Sequence, residues 1–323
     1  MTQSATVAVV GAGKWGQNLI KTFHSLDVLA AIVESDDLKG QTLATQYGVE
    51  YYSEIEDVLS TDIAAVAIAT PVFSHYELAK KALLAGKDVF VEKPMTTRPE
   101  EAEELIELAN HNGCILMVGH LLLYQPGIQF IKEFLDQGKL GQIHSIRQIR
   151  RSLGTIRKEE NVLYSFGVHD LAVLHYLIKE PIEAILATSQ IVISEGIEDD
   201  MTVHFHYRSG IQAHLHLNWL WPVKDRQLMI LGERGSLHFD ELRQEVIYYK
   251  QYANKDATVT APDHEIIFED STPPLTLELQ HFLDCIQQRK TPRSCGIQGR
   301  DVVKLMADIM KIQERTHGKL LYP

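Results

Sequence analysis

Apolar and polar positions follow two different rhythms along this chain, and the rhythm changes near residue 120. Before that point, short uniformly apolar runs are separated by amphipathic stretches, the pattern of strands buried on both faces with helices packed against them. The runs at 7–10, 29–33, 62–70, 88–91 and 115–118 predict strands, with a shorter one near 49–52. Apolar residues at helical spacing predict helices after the first strand (Leu19, Ile20, Phe23), over 38–47, from Ser74 to Ala85 and over 99–112. Strands alternating with helices in this way form a doubly wound parallel sheet. Beyond Gly119 helices are expected over 128–137 and 162–178, and a strand over 143–151. From Ile185 onward, short stretches at 201–207, 211–219, 227–231 and 245–249 are separated by turn residues, as in an antiparallel meander with one packed face. A long amphipathic helix over 299–316 completes the pattern. The fold class expected is α/β, with a nucleotide-type domain in residues 1–120 and, in 121–323, an α+β domain carrying an open, mainly antiparallel sheet.

The first strand empties into Gly11-Ala12-Gly13-Lys14-Trp15-Gly16. In a Rossmann domain this Gly-x-Gly-x-x-Gly spacing turns the chain sharply at the first glycine, admits a diphosphate against the backbone at the second and lets the helix pack closely at the third. The helix start offers unpaired N–H groups and a positive dipole end to the phosphates. Lys14 and Trp15 belong to the same loop. The second strand ends in Glu34, about 20 residues further on, where a carboxylate accepts hydrogen bonds from the adenosine ribose and repels a 2′-phosphate. The cofactor expected is therefore NAD in preference to NADP.

With 323 residues, 45% hydrophobic and 23% charged, the chain can bury two such cores. A net charge of −12 disfavours nucleic acid or an anionic membrane as the main partner. The three cysteines, Cys114, Cys285 and Cys295, have no metal-type spacing and fit a reducing compartment. No apolar run approaches the ~20 residues that cross a bilayer, and no signal-peptide pattern opens the chain, so a cytoplasmic location is expected.

Glu92-Lys93-Pro94 follows the strand at 88–91, at the sheet edge where open α/β folds bind ligands. A lysine there can hydrogen-bond a substrate hydroxyl and favour the alkoxide that forms as hydride departs. Together with the glycine loop, Thr70-Pro71 with His75, and Gly167-Val168-His169-Asp170, this motif resembles the glucose–fructose oxidoreductase, inositol dehydrogenase and rhizopine catabolism (Gfo/Idh/MocA) family over nearly the whole chain. The resemblance implies that Lys93 acts at the substrate and His169 serves as acid/base. It also implies that Thr70, Pro71, His75 and Glu92 join the glycine loop at the cofactor. Many sugar and inositol members carry an aspartate four residues before the histidine, whereas this chain has Ser165. A serine cannot hold a negative charge against the imidazole, which leaves Asp170 or the substrate to orient it.

Residues 157–170, and Gly119-His120-Leu121-Leu122-Leu123-Tyr124-Gln125-Pro126, are similar to the family branch acting on nucleotide-linked amino sugars. That branch oxidises the C3 hydroxyl of UDP-N-acetyl sugars such as UDP-N-acetylglucosamine. A PLP aminotransferase then installs an amine at the ketone, leading to 3-amino lipid A precursors. The resemblance implies substrate contacts by Lys93, His120, Tyr124, Arg157, Asn161, Ser165, His169 and Asp170. Arg150, Arg151, Arg157 and Lys158 gather positive charge that suits a diphosphate or forms a solvated basic loop. Two other readings stay open: a dehydrogenase or reductase of a free sugar, inositol or imine, and a non-catalytic NAD sensor, against which Lys93 and His169 count.

His204, His206, His214 and His216 lie on two predicted strands at a parity that puts them on one sheet face. No thiolate or carboxylate joins them in a ligand spacing, so no metal site is expected. With Trp219 and Trp221 nearby, this face is expected to pack against another subunit of a homodimer or homotetramer, or for the tryptophans to wall the substrate site.

Overall fold

The computed structural model describes residues 5–254 and 256–316. It divides into two compact units: Met1–Tyr124 with Pro273–Lys304, and Gln125–Thr272 with the chain from Leu305 onward.

The first unit is built on β1 (Val7–Val10), β2 (Leu29–Val33), β3 (Glu50–Tyr52), β4 (Ala65–Ile68), β5 (Asp88–Glu92) and β6 (Leu116–Gly119). All pairs are parallel, in the order β3-β2-β1-β4-β5-β6. The order reverses between β1 and β4, which opens the ligand crevice of such sheets at their C-terminal ends. β1, β4 and β5 are buried on both faces, which is why their sequences read as continuous apolar runs. Around them lie α1 (Lys14–Ser25), α2 (Asp37–Tyr47), α3 (Ile55–Leu59), α4 (His75–Leu84) and α5 (Pro99–Asn112). The Asp36 carboxylate caps α2 by accepting from the Lys39 N–H at 3.1 Å. Gly86, just beyond α4, takes a positive φ of 74° that glycine adopts without strain.

The second unit contains α6 (Pro126–Asp136), β7 (Ile143–Arg151), α7 (Val168–Leu177), β8 (Ile182–Gln190), β9 (Asp200–Tyr207), β10 (Gln212–Asn218), β11 (Asp225–Gly232), β12 (Gly235–Asp240), β13 (Glu245–Tyr249) and β14 (His264–Glu269). Its eight strands run in the order β14-β13-β12-β11-β7-β10-β9-β8, antiparallel except for β10 against β7. One face is buried through Ile146, Val203, Phe205, Leu215, Leu217, Ile230 and Phe239. α6 approaches this sheet so closely at Gly127 that a Cβ there would fall 2.4 Å from the Phe239 ring.

Two features differ from the sequence reading. The expected division at 121–323 places everything beyond residue 120 in one domain, but α8 (Pro274–Gln288) and the start of α9 (Gly296–Thr316) belong to the nucleotide unit. There α8 buries Leu279, Phe282, Cys285 and Ile286, and Arg289 reaches back to the Asp88 carboxylate at 2.7 and 3.0 Å. The helix expected over 162–178 is also not uniform. A π-helical turn, Leu163–Gly167, precedes α7.

Candidate active site

The glycine loop has the shape that a diphosphate needs. Gly11 has φ +91°, and a Cβ on Gly16 would lie 1.9 Å from the Gly11 carbonyl oxygen, so helix and loop meet only because Gly16 lacks a side chain. Gly13 differs, since a Cβ there would meet nothing within 4 Å, which leaves open space against the backbone. Gly13 is the N-cap of α1 without a side-chain cap, and the first turn carries no acidic residue. Its N–H groups are thus available to an anion. A cleft of about 570 Å³ is lined by Gly11, Gly13, Lys14, Trp15, Glu34, Thr70 and Pro71, among others. The residues present fit the adenosine and diphosphate of a dinucleotide.

Glu34 stands at the end of β2, as expected, and its carboxylate accepts from the Ala12 N–H at 2.9 Å and the Asp36 N–H at 3.2 Å. Lys39, in the first turn of α2 and not foreseen, sits 2.7 Å from the same carboxylate. Burial works against the charge on Glu34, but Lys39 and the two backbone donors outweigh it and hold the carboxyl below its usual range. The acid is therefore both ionised and aimed. The signal for Lys39 was in the sequence, five residues beyond the acid and three beyond the Asp36 cap.

Lys93 follows β5 at the C-terminal edge of the sheet and is half-buried. The turn it belongs to is braced by His75, whose Nδ1 is 2.9 Å from the Pro94 carbonyl and whose Nε2 is 2.8 Å from the Thr70 carbonyl. Burial pushes the imidazole below its ordinary pKa despite these two contacts. The structure thus sets the His75 ring between the ends of β4 and β5, where a neutral imidazole donates to one of the two carbonyls. Glu92 likewise turns inward: its carboxyl accepts from the Trp15 indole N–H and, at 3.2 Å, from the Lys93 N–H.

In the second unit, His169 lies in the first turn of α7, half-buried, directly after the π-helical turn that contains the buried Ser165. π-turns are rare and concentrate at functional sites, because the extra residue redirects the side chains that follow. Asp170 is held from the other side. Its carboxylate is bound by Arg150, Nε to Oδ2 at 2.6 Å, with Gln148 at 3.4 Å. Arg150 also binds Glu241, which Arg226 approaches at 3.0 Å, so this buried charge is neutralised within the fold and is no diphosphate ligand. Arg151 is paired with Asp225 and stacks over Trp221. Arg157 and Lys158 are exposed, Arg157 being 3.5 Å from Glu160.

Other residues expected at the substrate have partners within the fold. The Asn161 side-chain oxygen accepts from the Leu163 and Tyr164 N–H groups at 3.1 and 3.2 Å, capping the π-turn, while its amide donates to Glu198 at 2.8 Å. Tyr124 is buried with its hydroxyl 2.9 Å from Ser294 Oγ. His120 is buried at the end of β6. Trp219, expected at an interface or site wall, is fully buried and donates to Asp199. On the outer sheet face, His204 and His214 contact through their Nδ1 atoms at 2.7 Å and His216 reaches Asp200 at 3.2 Å. Among the described residues no group of three or more His, Cys, Asp or Glu side chains could hold a metal, and no helix is long and apolar enough to cross a membrane.

A glycine loop with open backbone N–H groups, an acid just past β2 and a lysine just past β5 suit a dinucleotide-dependent oxidoreductase. The chain belongs to the Gfo/Idh/MocA family: residues 5–120 match the oxidoreductase family model with an NAD-binding Rossmann fold, and residues 128–238 match the family's C-terminal domain. Its cofactor is NAD. It is 26% identical to scyllo-inositol 2-dehydrogenase (NAD(+)) of Bacillus subtilis, covering 90% of this chain and 89% of that one. It is 23% identical to UDP-N-acetylglucosamine 3-dehydrogenase of Acidithiobacillus ferrooxidans, covering 91% and 93%. The solved structure of the latter superposes with a TM-score of 0.88 at 21% identity, over 97% of this chain and 99% of that one. At this identity the superposition is a likeness of fold.

Proposed function

We propose that the protein oxidises the C3 hydroxyl of a UDP-linked N-acetylamino sugar, UDP-N-acetylglucosamine, to the 3-keto sugar. The observation that carries this reading is the end-to-end similarity to UDP-N-acetylglucosamine 3-dehydrogenase of Acidithiobacillus ferrooxidans in both sequence and fold. The inositol dehydrogenases of Bacillus subtilis and Rhizobium meliloti, 26% and 22% identical, support a second reading in which the substrate is a free cyclic polyol.

When bound, NAD accepts a hydride at nicotinamide C4. His169 takes the hydroxyl proton, since imidazole changes charge near neutral pH. Lys93 presents its ammonium to the reacting oxygen and stabilises negative charge there as the C–H bond breaks. The exposed Arg157 and Lys158 supply charge for the diphosphate, Arg150 and Arg151 being paired elsewhere. Ser165 lies beside the sugar. A ketone so formed is the substrate of a PLP aminotransferase, and this coupling places the reaction in the cytoplasm, ahead of a 3-amino lipid A precursor. The protein works as a homo-oligomer joined through the outer face of the eight-stranded sheet.

The test is NADH formation from NAD with UDP-N-acetylglucosamine, in the presence of an aminotransferase and amine donor that drain the ketone. Scyllo-inositol, myo-inositol and free N-acetylglucosamine serve as comparison substrates. Turnover on an inositol with none on the UDP-sugar would replace this reading by the second.

A further inference from the structure

One carboxyl of the nucleotide unit has no part in the chemistry above. Glu278, on α8, is 0% exposed, and neither of its carboxyl oxygens has a hydrogen-bond partner among the described residues. A buried polar group without a partner is strongly unfavourable, so such a residue in a native fold needs a physical reason.

Packing fixes where this carboxyl lies. Phe90 and Glu92 are two apart on β5 and share a face, while Glu278 and Phe282 are four apart on α8 and share a face. The rings of Phe90 and Phe282 meet edge to face with centroids 5.8 Å apart. That contact sets the two carboxyls alongside each other, and Glu92 is the charged group that acts on Glu278. β6 passes the pair at Gly119, which is in register with Glu92. A Cβ on Gly119 would be 2.9 Å from Glu92 Oε1, so a glycine here leaves the carboxyl its space.

Two buried carboxyls at close quarters do not both ionise. Burial, then the charge of Glu92, pushes Glu278 well above the usual carboxyl range. Burial raises Glu92 to about 7, while the Trp15 indole and Lys93 favour its charged form. Glu278 therefore keeps its proton while Glu92 is the one that titrates, and a protonated carboxyl must donate to something. The other titratable groups packed around the pair make no hydrogen bond to the Glu278 carboxyl. Tyr124, raised by burial and by Glu278, engages Ser294. His281, lowered by burial and by Arg293, accepts the Arg293 N–H at 3.1 Å, and Arg293 stacks on the Tyr124 ring at 4.9 Å. Lys93 lies on the Glu92 side and has no acceptor to offer.

We propose that Glu278 is a positioning residue for the hydride-transfer site, a protonated acid that donates through a buried water to the Glu92 carboxylate and so holds Glu92 charged beside Lys93. One water between two carboxyls satisfies the donor of one and the acceptor of the other. The charged Glu92 then fixes the Trp15 indole at the glycine loop and the Lys93 backbone at the strand end, and gives the Lys93 ammonium a counter-charge.

Trp15 supplies a readout that needs no substrate. Its indole N–H proton resonance, assigned with Trp15→Phe and followed against pH in the full-length protein with NAD bound, should titrate near neutral pH, and Glu92→Gln should abolish the titration. Glu278→Met removes the donor and should move the inflection up by about one pH unit. Glu278→Gln keeps an N–H donor and should leave it near the wild-type position. Infrared spectra above the inflection should show one protonated-carboxyl band that Glu278→Gln deletes. An inflection unmoved in Glu278→Met overturns the proposal. So does the absence of that band in the wild-type protein, a result that stands even if Glu278→Met does not fold.

Discussion

Arg150 and Asp170 form an ion pair inside the second unit, with Nε 2.6 Å from Oδ2 and side-chain exposures of 5% and 4%. Asp170 directly follows His169, so this pair ties the first turn of α7 to β7 and fixes the backbone from which the imidazole projects. Asp170, which the sequence offered as a partner for the histidine, thus anchors the helix that carries it.

The same guanidinium makes stability depend on acid. Burial opposes the charge on Glu241, yet Arg150 and Arg226 hold its pKa down at about 2, against 4.5 ordinarily. A carboxyl depressed in the folded state adds stability that is complete above its unfolded pKa and is lost as pH falls toward the folded value. This group should add stability at neutral pH that erodes as pH falls from about 4.5 toward 2. Urea unfolding across that range checks it, and Glu241→Gln should lose stability at pH 7 while flattening the dependence.

Two glycines of one loop should respond differently to alanine. Gly16→Ala drives a Cβ to 1.9 Å from the Gly11 carbonyl oxygen and should lower the melting temperature and abolish NAD binding together. Gly13→Ala meets nothing within 4 Å in the protein, so it should leave the melting temperature within a few degrees of wild type yet weaken NAD at least tenfold in calorimetry. Unchanged NAD affinity in Gly13→Ala would mean that the diphosphate does not approach there.

Turnover should separate the two side chains proposed to act at the substrate from the cofactor loop. Lys93→Met is expected to reduce kcat by about 10²-fold or more, the range for losing an electrostatic stabiliser, with NAD affinity near wild type. His169→Asn should also reduce kcat and remove the ionisation it contributes to the pH–rate profile. A Lys93→Met enzyme with near-normal kcat on its true substrate would exclude the proposed role.

Selection between cofactors rests on Glu34 together with Lys39. The wild-type protein should bind NAD more tightly than NADP if Glu34, which is ionised and lines the cleft, takes the ribose as proposed. Glu34→Ala leaves the Lys39 ammonium without its 2.7 Å partner and should shift preference toward NADP by at least tenfold in Kd ratio. Equal wild-type affinities in calorimetry would contradict the assignment.

Self-association should run through the outer face of the eight-stranded sheet. The register places Leu186, His204, His214 and Arg147 in one row across it, and Leu186 is 66% exposed. Light scattering at micromolar concentration should give a dimer or tetramer, weakened by His206→Glu with His214→Glu and indifferent to chelators. A monomer would refute this arrangement.

The parallel sheet, its glycine loop, Glu34 and the strand-end Lys93 were all legible in the sequence, because each depends on local pattern: uniformly apolar runs, fixed glycine spacing, a residue just past a strand. α8 formed no part of the sequence reading, and its membership of the first unit depends on what a helix reached by a long chain excursion packs against, which local pattern does not carry. Side-chain roles divided in the same way. Asn161, Tyr124, His75 and Asp170 carry groups that suit ligand binding, and nothing in their order along the chain shows that a backbone cap, Ser294, two carbonyls and Arg150 already claim them. Local sequence determined the backbone and the kinds of chemistry present. Partnership between polar groups distant in the chain was decided only by tertiary packing, because burial forces each donor and acceptor to find a partner wherever the fold brings one.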